Sequence, residues 1–562
     1  MDCRKIVGCG DDYMIIDLAK CESDNSCDVD VAIIGAGIAG LTLADRLRRN
    51  GLRVAVVESG GRDHEIDVHP LNQVVQAGDP YHGWARRSRC LGGTSTQWGG
   101  ALIPYVNHDL QARPYLDLPG FPGDSIEVGS YLPEVEKLFG VDGESYEEEV
   151  VTAVKAERYI PTGDGDFIAR FAKWPVFKRR NLAALFKDTI KGDLDLKIWI
   201  NATVTRFDFD SSNGRINTVE ARHESGRRVT IAARQFVICA GGIESTRLLL
   251  LLDRQYDQRI FEGCGALGRY FYDHVSAPMA AIKTKNVRKL NRLAAFRFIG
   301  STMRSLRFEL SASAQERERV GSANGHISFM TDRRSGFDAL RDLLRSQQRN
   351  GRLPTALIAE AIIDTPYLVN MAWWRFFQHQ LLWPDGAICE LQVVIEQLPQ
   401  MRNEIRLAPK TDIFGSPLAT IDWRVGAQEH ASFENFRKCF DPYWKRQGLE
   451  AIGDLLWYSD APSGGSKSAA TIDVYHPGGS TRMGTDGKTS VVDSNLRVYG
   501  VRNLSVGSTS AFPTGGGANP TLTLMMFAMR LADHLAAGEA RSSGAFPFAS
   551  RSGNEDRAEL TA

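Results

Sequence analysis

Two glycine-rich segments late in the chain carry side chains that could handle a proton and an oxygen atom. One reads YHPGGSTRMG and contains His476, and the other reads GGGANPTLT and contains Asn519. Histidine has an ordinary pKa of about 6.5, which suits a general base near neutral pH. An asparagine amide can donate a hydrogen bond to an oxygen on which negative charge develops. We therefore take His476 and Asn519 as candidate catalytic residues that face one small volume.

Both residues also have plain structural interpretations. His476 could be a histidine whose ring is satisfied by its neighbours. Asn519 stands before Pro520, which is the pattern of a helix N-cap followed by proline at the first helical position. The two roles of Asn519 are compatible if its side chain points away from the helix and another group caps it.

A dinucleotide-binding fingerprint lies near the other end of the chain. The apolar run 29–34 predicts a buried strand, and Gly35, Gly37 and Gly40 follow it in G-x-G-x-x-G order. The next residues predict a helix and a second strand that ends at Glu58. These glycines permit a tight turn, close approach of a pyrophosphate and close helix packing, and the acid can bind ribose hydroxyls. The pattern predicts dinucleotide binding without separating NAD from FAD, and the alternative is an ordinary βαβ turn.

A second glycine-rich segment, RCLGGTSTQWGGALIP at residues 89–104, follows soon after the first. Small residues there allow backbone groups to donate hydrogen bonds to phosphate and ring edges. Trp98 and the glycines after it would line the far end of a long cofactor. A surface loop with glycine turns is the alternative for this segment taken alone.

Composition excludes several classes of function. The net charge of −1 gives no electrostatic case for a nucleic-acid partner or for attraction to an anionic membrane. Nine cysteines, an odd number with no C-x-x-C pair, indicate neither a zinc ribbon nor a disulfide framework, so we expect reduced cysteines and no metal. The first residues lack an apolar signal core, and no apolar run approaches the ~20 residues of a spanning helix. We expect a cytoplasmic protein.

Taken together, these motifs resemble the glucose–methanol–choline (GMC) family of flavoenzymes. The fingerprint glycines, Glu58, the LGGTS loop at 91–95, the HPGGSTRMG run and Asn519-Pro520-Thr521 stand in that family's order. The resemblance spans about residues 28–540 and covers the segment near 333–388 poorly. It implies FAD, oxidation of an alcohol, and a two-domain fold.

Within the family, the His/Asn pair is similar to that of sugar-oxidising members of the pyranose 2-oxidase-like and fructose dehydrogenase-like types. The resemblance implies that His476 is the general base and that Asn519 orients the substrate oxygen. The sequence departs from the pyranose 2-oxidase pattern at Gln97, where a histidine would carry the flavin covalently. We therefore expect FAD to be held non-covalently.

The resemblance also implies which residues contact FAD. The helix beginning at Pro520 would point its positive end at the flavin. The full expected set is Gly35, Ala36, Gly37, Ile38, Ala39, Gly40, Glu58, Ser59, Arg89, Gly92, Gly93, Thr94, Ser95, Trp98, Gly99, Val204, Ala240, Gly241, Gly507, Ser508, Asn519, Pro520 and Thr521.

The expected fold class is α/β, with a Rossmann-like FAD-binding domain and a substrate domain built on a largely antiparallel sheet plus helices. We assign 28–110, 190–268 and 470–540 to the FAD-binding domain, and 269–469 to the substrate domain with a helical insertion at 333–388. Residues 111–189 are expected to be excursions that belong partly to the substrate domain. Residues 1–27 form an N-terminal extension and 541–562 a disordered tail.

Several local expectations concern the second domain and its helices. The segment 353–362 predicts a helix, and another from Ala427 is expected to stop before Pro442. In helix 367–383, an aromatic stripe predicts burial in the core or a contact in a homo-oligomer. It comprises Trp373, Trp374, Phe377 and Leu381.

The leading functional hypothesis is FAD-dependent oxidation of a CH–OH group on a small molecule, namely a sugar, glycoside or polyol. The electron acceptor could be oxygen, a quinone or a protein. One alternative is a lyase or decarboxylase on the same flavin scaffold. Another is a flavin-binding protein without catalysis, and an NAD enzyme is the weakest alternative.

Overall fold

The computed structural model describes residues 14–65, 68–150, 160–192, 194–330, 336–349, 358, 364–384, 386–459 and 472–542. The nineteen strands of these residues are β1 (Ile15–Asp17), β2 (Asn25–Ile34), β3 (Val54–Val57), β4 (Val74–Gly78), β5 (Phe167–Trp174), β6 (Leu196–Ile200), β7 (Thr203–Asp210), β8 (Arg215–Arg222), β9 (Arg228–Ile238), β10 (His274–Thr284), β11 (Arg297–Ile299), β12 (Thr302–Leu310), β13 (Ala323–Met330), β14 (Ile388–Glu396), β15 (Glu404–Thr411), β16 (Pro417–Trp423), β17 (Gly453–Trp457), β18 (Ile472–Asp473) and β19 (Leu504–Val506).

Twelve α-helices connect and cover these strands within the described ranges. They are α1 (Ile38–Arg49), α2 (Asn107–Leu110), α3 (Leu132–Phe139), α4 (Leu182–Leu185), α5 (Lys187–Gly192), α6 (Gly241–Gln255), α7 (Val287–Ala294), α8 (Ala312–Glu318), α9 (Gly336–Arg349), α10 (Thr365–Phe377), α11 (Ala427–Arg446) and α12 (Thr521–Ser542).

The first large sheet has the order β1-β6-β3-β2-β9-β8-β7, with β19 paired to β9. Strands β1, β6, β3, β2, β9 and β19 run parallel, and their apolar residues are buried between helices, as is typical of parallel sheets. The carboxyl ends of parallel strands share one edge, and Gly35, Glu58, Cys239 and Gly507 follow β2, β3, β9 and β19 there. That edge is where doubly wound folds bind their ligands.

The second large sheet is antiparallel and has the order β11-β12-β13-β14-β10-β17, with β18 on β10 and β5 on β12. One face is apolar and packs on α11, where the ring of Phe436 lies against Gly325. The opposite face is polar and carries Arg307, His326 and Gln392, all partly exposed. Alternation along the strands thus separates an apolar support from a polar face. The expected α/β class with an antiparallel second sheet is confirmed.

Three local expectations are wrong. Helix α11 does not stop at Pro442 but contains it, because Phe440, Tyr443 and Trp444 continue the same buried face and packing outweighs the lost hydrogen bond. Of the two alternatives expected for the aromatic stripe, burial in the core is wrong, because 48% of Trp373 and 70% of Phe377 are exposed and only Trp374 is buried, whereas the homo-oligomer contact stays a prediction.

The stripe also ends earlier than expected, because Leu381 lies beyond the end of α10 and its N–H donates to the Phe296 carbonyl.

The expectation of reduced cysteines is corrected at Cys21, which is disulfide-bonded.

Other findings concern the ends and the insertion. Strand β1, within the expected N-terminal extension, is an edge strand of the first sheet and pairs with β6. The expected helix at 353–362 and most of the tail 541–562 lie outside the described residues. Among the described residues, none of the helices combines the length and the apolar character needed to span a bilayer.

Candidate active site

The structure brings His476 and Asn519 into contact. Asn519 Nδ2 lies 3.3 Å from His476 Nε2. Asn519 Oδ1 accepts a hydrogen bond of 2.6 Å from Arg307 Nη2 on β12. Because a guanidinium can only donate, this bond fixes the amide with its oxygen towards Arg307 and its NH2 group towards His476. The side chain of Asn519 therefore points into the site and away from the role of a helix cap.

A second histidine, His274 at the start of β10, completes the arrangement. Its Nδ1 lies 3.1 Å from His476 Nδ1, and its Nε2 lies 2.7 Å from the carbonyl oxygen of Gly516. The carbonyl can only accept, so His274 carries its proton on Nε2 when neutral and must accept through Nδ1. His476 therefore donates from Nδ1 and keeps a lone pair on Nε2. This tautomer leaves Nε2 as the basic atom, on the side that faces Asn519.

Both histidines are held neutral. Burial, followed by the charges of His274 and Arg307, lowers the pKa of His476 well below its usual range. Burial likewise lowers the pKa of His274, which is only 3% exposed. A neutral His476 is in the protonation state that a general base requires.

The backbone of the His476 loop is fixed by Asp273 and Tyr272. The N–H of His476 donates to Asp273 Oδ1 over 2.8 Å, and Tyr81 donates its hydroxyl to Asp273 Oδ2 over 2.9 Å. Burial and the nearby charge of Asp473 raise the pKa of Asp273 well above its usual range. The glycines after Pro477 are required because a Cβ at either position would overlap the Tyr272 segment, with which they pair.

Asp273, His274 and His476 also have the spacing of a metal site, since one ligand atom of each lies within 4.8 Å of the others. Both oxygens of Asp273 and both ring nitrogens of His274 already have partners. The cluster is therefore accounted for by hydrogen bonds within the protein.

The loop that carries Asn519 is anchored by two buried acids that the sequence did not single out. Glu396 Oε1 accepts the N–H of Gly516, and Asp109 Oδ2 accepts the N–H of Gly517. Arg113 binds both oxygens of Glu396 at 2.6 Å, and neither side chain of this pair is exposed. The Asn519 amide is thus held by a rigid loop at the start of α12.

The expected cofactor loops are assembled at the sheet edge as a dinucleotide requires. A Cβ at Gly40 would overlap the Gly35 carbonyl, whereas a Cβ at Gly37 would meet nothing within 4 Å, so the backbone there is open to a ligand. Among the described residues no side chain caps α1, and its first turn has no acid. The N–H groups at this helix start remain available to a pyrophosphate. These features fit FAD.

The second glycine loop lies directly against the first. The N–H of Gly92 donates to the Ala36 carbonyl, and a Cβ at Gly93 would lie 2.8 Å from the Gly37 Cα. Thr94 and Gly99 are exposed on this loop, whereas Ser95 is buried and accepts the N–H of Leu182. Ile38 and Ala39 open α1 behind the two loops.

Glu58 is buried at the end of β3 and accepts the N–H groups of Ala36 and Gly60. Burial raises the pKa of this carboxyl. Oε1 also accepts from the Ser59 hydroxyl, but Oε2 can accept a second bond, so capacity for a ribose hydroxyl remains. Ser59 lies between Glu58 and Arg89, whose guanidinium also binds Glu244 at 2.8 Å. Arg89 therefore supports the site through protein contacts.

The remaining expected residues lie around the same edge. Trp98 packs against Phe139 and donates its indole N–H to the Arg180 carbonyl. Val204 lies in β7, just after Ala202, whose N–H donates to the Glu58 carbonyl. Ala240 and Gly241 open α6, Gly507 and Ser508 follow β19, and Pro520 and Thr521 open α12. Their assignment as FAD contacts stays a prediction.

Comparison with known proteins agrees with this arrangement. Residues 30–265 match the family model described as FAD dependent oxidoreductase, and residues 399–528 match the one described as GMC oxidoreductase. The chain is 23% identical to the fructose dehydrogenase large subunit of Gluconobacter japonicus, over 91% of this chain and 98% of that protein. It is 24% identical to paromamine 6'-oxidase of Streptomyces fradiae, over 90% of this chain and 91% of that protein.

Solved structures show the same fold. Pyridoxine 4-oxidase from Mesorbium loti superposes with a TM-score of 0.54 at 18% identity, covering 90% of this chain and 99% of that chain. A single-residue variant of formate oxidase from Aspergillus oryzae RIB40 gives a TM-score of 0.56 at 16% identity, covering 92% of this chain and 99% of that chain. With the two family matches at either end of one chain, the protein is an FAD-dependent oxidoreductase whose carboxyl-terminal part is of the GMC type.

Proposed function

We propose that the protein oxidises a CH–OH group of a sugar, glycoside or polyol, with His476 Nε2 as the base and Asn519 as the hydrogen-bond donor to the substrate oxygen. The observation that carries the proposal is the ordered chain from the Gly516 carbonyl through His274 and His476 to Asn519. In this chain an N–H of Asn519 donates to the lone pair of His476 Nε2, and a substrate hydroxyl that displaces this bond meets the lone pair and the amide N–H at one point. An alcohol oxygen placed there can give up its proton and accept a stabilising bond.

The proton step follows from the tautomers. The substrate hydroxyl donates to His476 Nε2, while an N–H of Asn519 Nδ2 donates to the same oxygen. As the proton moves, the Nδ1–H bond from His476 to His274 disperses the new positive charge. The chemistry that FAD supplies when bound is acceptance of the carbinol hydride. Arg307, fixed on Asn519 Oδ1, polarises the amide towards the developing alkoxide.

The substrate class is proposed from the chemistry of the site and from two relatives. One relative is the large subunit of a fructose dehydrogenase, and another is a paromamine 6'-oxidase. The site face of the second sheet carries arginine, asparagine, histidine and glutamine side chains, which suit an oxygen-rich substrate.

We also propose non-covalent FAD. Position 97 holds glutamine, whose Nε2 donates to Ser88 Oγ over 3.2 Å and also contacts His64. An amide cannot form the histidyl–flavin bond expected of a histidine at this position. Acid precipitation of the purified protein should leave the yellow colour in the supernatant. Colour that stays with the pellet would contradict this proposal.

The deciding experiment is anaerobic reduction of the flavin by a panel of sugars, glycosides and polyols. Bleaching by one of them, strongly slowed by His476→Ala, supports the proposal. Turnover with the flavin still oxidised would indicate a lyase, and no turnover with any alcohol would sink the proposed oxidation. Re-oxidation by oxygen or by a quinone dye then identifies the class of electron acceptor.

Three coarser expectations remain proposals. We propose the domain division given above, a cytoplasmic location and a homo-oligomer contact through α10. On this helix Trp373, Phe376 and Phe377 are 48%, 68% and 70% exposed, more apolar surface than an isolated surface helix usually presents. Light scattering of the wild type and of Phe376→Asp tests the contact, which predicts a larger mass for the wild type. Fractionation of the source cells tests the location.

A further inference from the structure

Three neighbouring polar side chains on the second sheet carry buried atoms that lack a hydrogen-bond partner. Within the described part of the chain, these atoms are Arg307 Nη1, Asn324 Oδ1 and His326 Nδ1, and the neighbouring Arg170–Glu309 pair leaves Arg170 Nε and Glu309 Oε1 without a hydrogen-bond partner as well. Buried polar atoms are nearly always satisfied in folded proteins. Asn324 is only 2% exposed, so bulk water does not reach it easily. Three such atoms in one place indicate that a polar ligand supplies the missing bonds.

The strand register puts these side chains together on the polar face. Phe308 of β12 pairs with Gly325 of β13, and Glu309 pairs with Asn324. Arg307 therefore stands across from His326 and diagonal to Asn324. Arg307 and His326 also interact electrostatically: burial, and then the Arg307 charge, lower the pKa of His326 to about 4.

Two of these side chains, Arg307 and Asn324, are hydrogen-bonded to the loop that carries Asn519. Arg307 uses its other terminal nitrogen on Asn519 Oδ1 over 2.6 Å. Asn324 Nδ2 donates to the carbonyl of Gly517 over 3.1 Å. The unpartnered atoms thus lie beside the point where His476 and Asn519 would hold the reacting oxygen. This is where a substituent on the neighbouring carbon of a substrate would come.

The unsatisfied atoms select the chemistry of that substituent. Arg307 Nη1 can only donate, and Asn324 Oδ1 can only accept. A hydroxyl satisfies both, because it accepts and donates at once. A carboxylate would leave Asn324 Oδ1 without a donor, and an ammonium, which can only donate, would leave Arg307 Nη1 without an acceptor. A methyl group would satisfy neither.

We propose that Arg307, Asn324 and His326 form a subsite for a second hydroxyl of the substrate, on the carbon next to the one that is oxidised. The enzyme then prefers vicinal diols and sugars over simple alcohols. This inference rests on the proposed alcohol oxidation, and it adds the identity of the neighbouring group and the residues that read it.

The test uses four primary alcohols that share a CH2OH group and differ in the neighbour: 1-propanol, 1,2-propanediol, glycolate and 2-aminoethanol. The rate of anaerobic flavin reduction is measured with the holoenzyme. We expect 1,2-propanediol to exceed 1-propanol by about 10- to 100-fold, the range of one hydrogen bond to a charged group. Glycolate and 2-aminoethanol should both fall below the diol.

Two variants remove the subsite separately. Asn324→Leu removes the acceptor and leaves the Arg307–Asn519 bond, and Arg307→Met removes the donor. In each variant the ratio of diol to 1-propanol should fall to near one. The matched control is Asn403→Leu, because Asn403 is another buried asparagine with an unpartnered Oδ1 and lies outside β12 and β13. Its ratio should equal that of the wild type.

A binding measurement separates this inference from the proposed function. On a His476→Ala background, the dissociation constant of 1,2-propanediol is read from the flavin absorbance. Weaker diol binding after Asn324→Leu, but not after Asn403→Leu, supports the subsite even if no alcohol reduces the flavin. An unchanged diol preference and diol affinity in both subsite variants would overturn it, as would glycolate or 2-aminoethanol being the best substrate.

Discussion

His274 and His476 face each other with their Nδ1 atoms 3.1 Å apart, and only one of the two can donate the proton between them. The bond from His274 Nε2 to the Gly516 carbonyl decides that His476 is the donor. The tautomer of His476 is thus set by the Gly516 carbonyl, to which His476 is linked through His274 by two hydrogen bonds. The direction of this chain matters more than the presence of a histidine, because the opposite tautomer would present N–H to the substrate.

The first prediction concerns His274. His274→Phe should lower kcat by about 100- to 1,000-fold, the range for loss of an oriented polar group, because His476 loses its acceptor and can adopt either tautomer. His274→Gln should restore much of the activity, since a glutamine amide can accept from His476 and donate to Gly516. Single-turnover flavin reduction gives the rate. Equal losses in both variants would mean that His274 acts only by filling space.

The second prediction concerns pH. The pKa of His476 lies well below the usual 6.5, so His476 stays unprotonated until the pH falls far below neutral. The acid limb of the kcat/KM profile should therefore lie below pH 6.5. Arg307→Met removes one of the charges that lower this pKa, so the limb should move to higher pH. Arg307→Lys keeps the charge, and its limb should stay near that of the wild type.

The cofactor part of the site is predictable from the sequence because its determinants are local. Gly35, Gly37 and Gly40 stand within one turn between a strand and a helix, and the family order of the motifs adds the rest. His476 and Asn519 are identifiable for the same reason, since each lies in a short glycine-rich run. Their contact across 43 positions follows the expectation.

The residues that hydrogen-bond to His476 and Asn519 are positioned by the register of the second sheet. Residue order alone does not specify this register. His274 lies on β10 and Arg307 on β12, both far in sequence from His476 and Asn519. The buried pair Arg113–Glu396 likewise joins positions 283 residues apart. One signal was readable: β13 runs ANGHISFM, with Asn324, His326 and Ser328 at every second position. That alternation indicates a polar strand face opposite an apolar one.

The third prediction concerns the anchor of the Asn519 loop. Arg113→Met leaves Glu396 buried without its counter-charge, which should lower the free energy of unfolding by about 3–5 kcal/mol. Urea unfolding of the holoenzyme measures the loss. Arg424→Met is the matched control, because the Arg424–Asp422 pair is exposed and its loss should leave the midpoint unchanged. A wild-type midpoint in Arg113→Met would contradict the anchoring role.

The last prediction uses Glu244, which lies buried beneath the cofactor loops. Burial opposes its ionisation, but Arg247, Arg89 and Arg87 prevail and lower its pKa to about 2. A carboxyl whose folded pKa is below its unfolded value of about 4.3 stabilises the protein above that value and loses this contribution as the pH falls towards the folded pKa. The contribution at neutral pH is about 3 kcal/mol. Glu244→Gln should therefore be much less stable than the wild type at pH 7, and the gap should shrink by more than half by pH 3. Urea midpoints of both proteins across this range measure the gap, and a gap that stays constant with pH would mean that the carboxylate charge contributes nothing.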